Sequence, residues 1–425
     1  MRCVSWIATL AIVVGSATFD AHAASATEII EYRLPPETLA KAEALYRTNM
    51  AVFFASEIYR VAVLVLVLAL GIAPRLREVA ERARRNRFAQ ATVFVPPLLL
   101  SIAVLLLPLD VYGHYLQRSY GLSVQSWSSW FWDWVKSETL ILLIATPLIW
   151  GLYAILRRSP NRWWLYCWLA SIPVVLLLVL VTPIFIDPLF NSFSPLEEKQ
   201  PQLLREIERV IERGELRIER ARMFEMEASD KVTTYNAYVT GIGASKRVVV
   251  WDNTARDLSI PETMFVFGHE QGHYVLNHVW LSVAFAVLAL LLAMCLAYRA
   301  APTLLARFGS HWRVHDVRDW ASLPLLMLLF SLILLVGRPI ATAFSRHLEH
   351  QADTYGLEVT HGLTSDSPQA AAHALQKLGE KGLAYPSPNP LYVLWLFTHP
   401  PIDERVRFAL EYRPWDQGQP TRYIK

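Results

Sequence analysis

The sequence predicts a mainly α-helical protein, a polytopic bundle of membrane helices that carries a small α+β domain. The composition supports this class, because 54% of the 425 residues are hydrophobic, only 18% are charged, and mean hydropathy is +0.28. Apolar runs long enough to cross a bilayer recur along the chain. The formal net charge of +3 is too small to suggest a nucleic-acid partner, so the lipid bilayer is the first partner we expect.

The first 23 residues have the pattern of a secretory signal peptide. Arg2 precedes a short apolar run from Val4 to Val14, and the segment ends in Ala21-His22-Ala23, an A-x-A cleavage signal. The apolar run is shorter than the roughly 20 residues that a membrane helix needs. We therefore expect residues 1–23 to be a cleaved signal peptide, with a retained first membrane helix as the alternative.

Six membrane spans are expected in the rest of the chain. They are Ala51–Ala73, Ala91–Gly113, Thr139–Leu156, Trp163–Phe185, Val279–Tyr298 and Leu323–Phe344. The first four form an N-terminal membrane domain over residues 24–190. The last two belong to a second domain over residues 191–415, which is followed by a tail of residues 416–425.

The second domain also contains two polar regions, one on each side of its pair of spans. In the first region we expect a helix over Leu196–Arg213 and strands over Arg220–Ala228, Asn236–Gly241 and Lys246–Trp251. The last two strands are expected to form a hairpin around Gly243-Ala244-Ser245. In the second region we expect a helix near Gln369–Leu378 and a final helix from Pro401.

The loops between the spans predict the orientation in the membrane. Arginines concentrate in Pro74–Gln90, Arg157–Arg162 and Arg299–Trp320, which strict alternation of the spans places on one side. The positive-inside rule assigns that side to the cytoplasm. Both polar regions then face outward, which in a bacterial inner membrane means the periplasm.

One short motif indicates the chemistry. Residues Phe267–His273 contain H-E-x-x-H, which places His269 and His273 one turn apart on the same face of a helix. Two imidazoles in this arrangement can bind one Zn²⁺ ion, and Glu270 can reach a water on that ion. We expect this helix to continue without a break into the span that begins at Val279.

A catalytic zinc site needs a third protein ligand and one open position. Glu349 is the best candidate, because it follows the last span just as His273 precedes the span before it, and the two spans form a hairpin. Asp353, one turn after Glu349, is placed to accept the free ring N–H of a histidine ligand. Three nearby histidines are alternative ligands, although surface or interfacial positions suit them better: His278, His347 and His350.

This set of residues predicts hydrolysis of peptide bonds. Zinc makes a water reactive near neutral pH, and we expect Glu270 to take its proton and return it to the leaving amine. A donor for the developing oxyanion is still required; His399 is the candidate, with an ordinary loop histidine as the alternative. The expected activity is that of a zinc metalloendopeptidase with one Zn²⁺ per chain, acting on peptide or protein substrates.

With these residues the chain resembles the CAAX prenyl protease type 1 family, integral-membrane zinc metallopeptidases of the gluzincin type. The stretches that carry the resemblance are Phe267–His278, Ser345–Asp353, Tyr235–Tyr238, Asp187–Asn191 and Thr398–Arg405. The resemblance implies a zincin-like catalytic domain. It also implies zinc ligands at His269, His273 and Glu349, with Glu270 as the catalyst.

The resemblance further implies a substrate site. Asn236, Ala237 and Tyr238 would belong to an edge strand that pairs with an extended peptide by β-augmentation. The substrates would be membrane-associated proteins, lipidated or misfolded, and CAAX-box processing is the reaction known for the family. Two features depart from the family pattern. The family has a further span in place of the signal-like segment, and its catalytic domain faces the cytosol in eukaryotes.

Two other functions fit parts of the sequence. A heat-shock membrane protease of the same clan would use the same motif, but such proteins have fewer spans than the six expected here. A membrane transporter or channel with a structural zinc would explain polar residues such as Glu57 and Arg60 within a span. Against that alternative stands Glu270, which a purely structural zinc site does not need.

Overall fold

The computed structural model describes residues 29–241 and 246–424. Within these residues the chain is mostly helical, and six helical stretches are long and apolar enough to cross a membrane. This confirms the predicted fold class and the predicted number of spans. The predicted signal peptide, residues 1–23, lies outside the described residues.

Five helices form the N-terminal part of the molecule: α1 (Pro36–Ala69), α2 (Ile72–Ala83), α3 (Arg87–Ser119), α4 (Trp127–Arg158) and α5 (Trp163–Val181). All except α2 are candidate spans, and short π and 3-10 turns extend α5 to Leu189. The first span ends at Ala69 rather than at the predicted Ala73. Gly71 has φ of 62°, a left-handed conformation that suits glycine and turns the chain into α2.

The second part of the molecule begins with short elements: β1 (Phe193–Pro195), α6 (Leu196–Lys199), α7 (Pro201–Arg213), β2 (Met223–Met226), β3 (Ala237–Thr240), β4 (Arg247–Trp251) and α8 (Asp252–Asp257). It continues with α9 (Ile260–Val275), α10 (His278–Trp312), α11 (Leu323–Thr360), α12 (Ser367–Lys381), α13 (Pro390–Leu396) and α14 (Ile402–Glu411). Helices α10 and α11 supply the last two spans.

The four strands form one sheet in the order β1-β2-β4-β3. Strands β3 and β4 pair antiparallel, as the predicted hairpin requires, and the structure places Ala237 opposite Val250 and Thr240 opposite Arg247. The turn residues Gly243–Ser245 lie outside the described residues. Strand β2 runs parallel to β4, and β3 is an edge strand of the sheet.

Two predicted elements in this region are shorter than expected. The predicted helix Leu196–Arg213 is interrupted at Gln200, which has φ of −136° and ψ of 58°. The cause is Pro201, because a proline ring disfavours the α conformation in the preceding residue. The predicted strand Arg220–Ala228 pairs only over Met223–Met226, after a 3-10 turn.

The helix that carries the H-E-x-x-H motif does not run on into the membrane, so the prediction of a continuous helix is wrong. Helix α9 ends at Val275, and Asn277 has φ of 60° before α10 starts at His278. Asparagine tolerates the left-handed conformation better than most residues, which explains why the chain breaks here. The two helices are therefore separate elements.

The buried side chains form two main cores. The membrane core contains the large residues Phe94, Tyr153, Trp163 and Trp320. The second core lies under the sheet and contains Leu204, Phe265, Phe267 and Tyr355. The first turns of α11 belong to the membrane core and its last turns to the second core, so α11 joins the bilayer part to the domain that carries the motif.

Candidate metal centre

Helix α9 is anchored at its start and packed on most sides. The Glu262 carboxylate accepts a hydrogen bond from the Ser259 backbone N–H at 2.7 Å, part of a capping box at the N-terminus. The Lys377 ammonium binds the same carboxylate at 2.7 Å. Residues from Glu262 to His269 are buried, so the helix holds the motif in one orientation.

Glycines let α9 and α11 approach closely. A Cβ atom at Gly268 would lie 2.8 Å from Val359 Cγ1, and one at Gly356 would lie 3.0 Å from the His269 backbone nitrogen. Any larger residue at either position would push the two helices apart. This contact brings the two histidines of α9 beside the carboxylate of Glu349 on α11.

The structure brings together the three predicted metal ligands. One ligand atom from each of His269, His273 and Glu349 lies within 4.8 Å of the others. The two Nε2 atoms are 3.1 Å apart, and Glu349 oxygens lie 3.2 Å from His269 Nε2 and 3.6 Å from His273 Nε2. Two nitrogens and one carboxylate oxygen around one point match the ligand set of a catalytic zinc site with an open fourth position.

The side chain of Asp353 orients His269. Its Oδ1 atom lies 2.8 Å from His269 Nδ1, the contact expected for Asp353 from the sequence. Arg405 on α14 donates to both Asp353 oxygens at 2.7 and 2.9 Å, which keeps the carboxylate ionised and able only to accept. His269 Nδ1 must then carry the proton, and its Nε2 faces the centre.

The electrostatics of the centre favour a cation. Burial disfavours a charged imidazole, but the adjacent carboxylates of Asp353 and Glu349 outweigh it and raise the pKa of His269 to about 10. The Glu349 Oε2 atom is buried and has no hydrogen-bond donor among the described residues. A divalent ion between this oxygen and the two imidazoles would satisfy all three groups, so the residues present fit a metal ion.

His278 contacts the ring of His273, the second predicted histidine ligand, and the sequence did not reveal this contact. It is 2% exposed, so the surface position expected for it is wrong. Its Nδ1 atom lies 3.0 Å from His273 Nδ1, and its Nε2 atom lies 3.0 Å from the Gln351 side-chain oxygen. Gln351 then reaches His347 at 3.2 Å. Exposed His347 and His350 lie outside the ligand set.

Glu270 and His399 border the centre. Burial raises the pKa of the Glu270 carboxyl, a direction that suits a group that takes up a proton. His399 Nε2 lies 3.2 Å from Glu349 Oε2, so the structure places this predicted site residue beside the ligands although it comes from a distant part of the chain. Its role as an oxyanion donor stays a prediction.

A clasp formed by three α11 side chains holds the segment that leads to His399. Arg338 donates to the Trp395 carbonyl at 2.8 Å, Thr342 to the Leu394 carbonyl at 2.5 Å, and Arg346 to the Val393 and Phe397 carbonyls at 2.9 and 2.7 Å. The three residues are spaced one turn apart on one face of α11. They bind carbonyls at the C-terminal end of α13, the groups that a helix leaves unsatisfied.

The predicted substrate residues lie on and beside the edge strand. Ala237 and Tyr238 belong to β3, and Ala237 is fully buried. Asn236 precedes the strand, and its backbone N–H donates to Thr254 Oγ1 at 2.7 Å. One edge of β3 is paired with β4, which leaves the other edge for a further strand. Substrate binding there stays a prediction.

Family comparisons agree with this geometry. The family model described as "CAAX prenyl protease N-terminal, five membrane helices" matches residues 19–192. The model of peptidase family M48 matches residues 197–413. The chain belongs to peptidase family M48. The resemblance to CAAX prenyl proteases stated from the sequence is thereby confirmed.

Relatives of this M48 chain cover nearly its whole length. An uncharacterized metalloprotease, YhfN of Bacillus subtilis, is 33% identical over 377 residues, 88% of this chain and 86% of that protein. CAAX prenyl protease 1 of Saccharomyces cerevisiae is 26% identical over 411 residues, 90% of this chain and 88% of that protein. The crystal structure of S. mikatae Ste24p superimposes with a TM-score of 0.75 at 26% identity, covering 89% of each chain.

The M48 chain is therefore an integral-membrane metalloendopeptidase with a metal cofactor. Because family M48 is a family of peptidases, the substrate is a peptide or a protein. The alternative of a transporter or channel with a structural zinc has no support from the family or from these relatives.

Proposed function

We propose that the cofactor is a single Zn²⁺ ion bound by His269, His273 and Glu349. The observation that carries this proposal is the buried Glu349 Oε2 atom, which has no hydrogen-bond partner among the described residues and lies 3.2 Å from His269 Nε2. When bound, zinc supplies an activated water and polarises the carbonyl of the substrate. The chain's own residues then hold the histidine rings, through Asp353 and His278, and move the proton.

Glu270 is the general base and acid. Its carboxylate takes a proton from the attacking water and returns it to the nitrogen of the leaving amine. His399 donates an N–H to the developing oxyanion, a role supported by its place beside Glu349. The substrate backbone pairs with the free edge of β3, near Asn236, Ala237 and Tyr238, so that one peptide bond lies across the centre.

The substrates we propose are membrane-associated proteins, lipidated or misfolded, and no nucleic acid takes part. The name of the yeast relative, CAAX prenyl protease 1, supports a lipidated class. The arginine-rich loops support a bacterial inner-membrane protein with its catalytic domain in the periplasm. The domain division at residues 190 and 191 also stays a proposal, supported by family matches that end at 192 and resume at 197.

The decisive experiment compares the full-length protein with the Glu270→Gln variant in detergent. We expect equal zinc content and a roughly 10²- to 10⁴-fold lower rate of peptide cleavage in the variant, because only proton transfer is lost. His269→Ala should lose zinc as well as activity. Equal cleavage rates for wild type and Glu270→Gln, or zinc binding without cleavage by either, would exclude this mechanism.

The orientation has its own test. An alkaline phosphatase fused after Lys425 becomes active only outside the cytoplasm, so we expect an active fusion in a bacterial host. An inactive phosphatase together with an active β-galactosidase at the same position would place the catalytic domain in the cytosol.

A further inference from the structure

A polar cavity lies at the opposite end of the spans from the metal centre. Its volume is about 270 Å³, and its lining includes Arg77, Arg87, Arg157 and Arg318. Helix α3 starts at Arg87, α4 ends one residue after Arg157, and the last span begins at Trp320 on the cavity wall. Three spans therefore meet water at this cavity, which we call the arginine cavity.

Its distance from the metal centre makes it an independent site. Trp320 and Glu349 are 29 positions apart on one nearly continuous helical stretch. At 1.5 Å per residue this separation is about 43 Å, more than the thickness of the hydrocarbon core. A small molecule bound in the arginine cavity is therefore too far away to contact the metal centre.

The charges of the arginine cavity do not cancel. Three carboxylates line it with the four arginines, which leaves one positive charge in excess. Arg77 pairs with Asp319, Arg318 with Asp316 through both oxygens, and Arg87 with Glu81 at 3.6 Å. Among the described residues no carboxylate forms an ion pair or hydrogen bond with Arg157.

Aromatic rings hold Arg157 in place. Its guanidinium carbon lies 4.2 Å from the centre of the Trp320 ring and 5.4 Å from that of Tyr153. Both rings are almost fully buried, so they form a rigid support for the cation. A guanidinium fixed in this way presents its N–H groups in the planar fork that matches a phosphate group.

We propose that the arginine cavity binds a phosphate group, with Arg157 as its main contact. A phosphate diester carries the single negative charge that the lining lacks. The cavity is slightly smaller than the roughly 300–1,000 Å³ of typical small-molecule pockets, which suits a headgroup rather than a whole lipid. Since the membrane surface adjoins the cavity, a phospholipid headgroup and free phosphate are the two sources of this chemistry.

The test measures the melting temperature of the full-length protein in maltoside detergent. The additives are phosphatidylglycerol, dioleoylglycerol as a lipid without phosphate, and inorganic phosphate. We expect phosphatidylglycerol to raise the melting temperature of the wild type by several degrees and dioleoylglycerol to leave it unchanged. An equal rise with millimolar inorganic phosphate would identify free phosphate as the source.

Variants assign the effect to the cavity. Arg157→Gln should lose at least half of the phosphate-dependent shift, and Arg87→Gln provides a second lining variant at an exposed position if the first folds poorly. Arg85→Gln is the matched control, because it removes the same charge from an exposed neighbour outside the cavity. Equal shifts in all proteins, equal losses in Arg157→Gln and Arg85→Gln, or no shift with any phosphate would overturn the proposal.

Discussion

Arg405 holds Asp353 by two hydrogen bonds, and Asp353 in turn holds the ring of His269 at 2.8 Å. The guanidinium comes from α14, 52 positions after Asp353. A predicted metal ligand on α9 is thus oriented by a cation from α14. The C-terminal helix therefore takes part in the metal centre without touching the metal.

We predict that Arg405→Ala weakens metal binding and folding together. Loss of a group that orients a ligand lowers metal affinity by about 10- to 100-fold. Leaving Asp353 buried without its partner should lower the free energy of unfolding by about 3–5 kcal/mol. Competition with a zinc-selective chelator and thermal unfolding measure the two effects. Arg407→Ala, an exposed arginine on the same helix, should change neither.

A series of contacts runs from His273 through His278 and Gln351 to His347. We expect substitutions along this series to lower zinc affinity less as their distance from His273 increases. His278→Ala removes the group that fixes the His273 ring, so zinc affinity should fall by roughly 10-fold or more. His347→Ala removes only the exposed end of the same series and should have little effect. Zinc content after dialysis against a weak chelator tests this order, and equal retention by the two variants would contradict it.

Weakening the clasp between α11 and the C-terminal end of α13 should lower the rate of peptide cleavage without loss of metal. Arg346→Gln frees the Val393 and Phe397 carbonyls, so His399 should lose its fixed position beside Glu349. A displacement of this kind costs up to about 10²-fold in rate. We expect kcat to fall while zinc content stays that of the wild type. Thr342→Val removes a single hydrogen bond and should have a smaller effect.

The glycine contact between α9 and α11 predicts a steric effect. In Gly356→Ala the new Cβ atom would lie 3.0 Å from the His269 backbone nitrogen and 3.2 Å from the Phe265 ring. Overpacking of this type costs about 1–3 kcal/mol and should separate the ligands, which lowers both melting temperature and zinc affinity. Gly337→Ala on the same helix meets no atom within 4 Å and should be neutral or slightly stabilising.

The features that could be predicted from the sequence are those that depend on the spacing of residues within a helix and on the order of the membrane spans. Residues four apart share a helix face, which places His269 beside His273. The hairpin of the last two spans brings Glu349 to them. The number of spans follows from long apolar runs, which only a helix can carry across a bilayer with its backbone groups satisfied.

Side-chain contacts between elements that are far apart along the chain could not be predicted from the sequence. Arg405 reaches Asp353 because α14 lies against α11, and no periodic pattern reports that contact. His278 lies five positions after His273, which in a continuous helix would put it about 140° away around the axis. The break at Asn277 returns its ring to His273, and that break rests on one left-handed residue.

The break at Asn277 also separates the helix that carries the H-E-x-x-H motif from the membrane span that follows it. Spans tilt or bend when membrane thickness changes, and the two-residue interruption before α10 lets that span move while α9 stays on its own core. Glu349, in contrast, is on the continuous helix α11. A metal ion held by His269, His273 and Glu349 would therefore cross-link α9 to a membrane helix, and chelation should both abolish peptide hydrolysis and release this link between the domain and the bilayer.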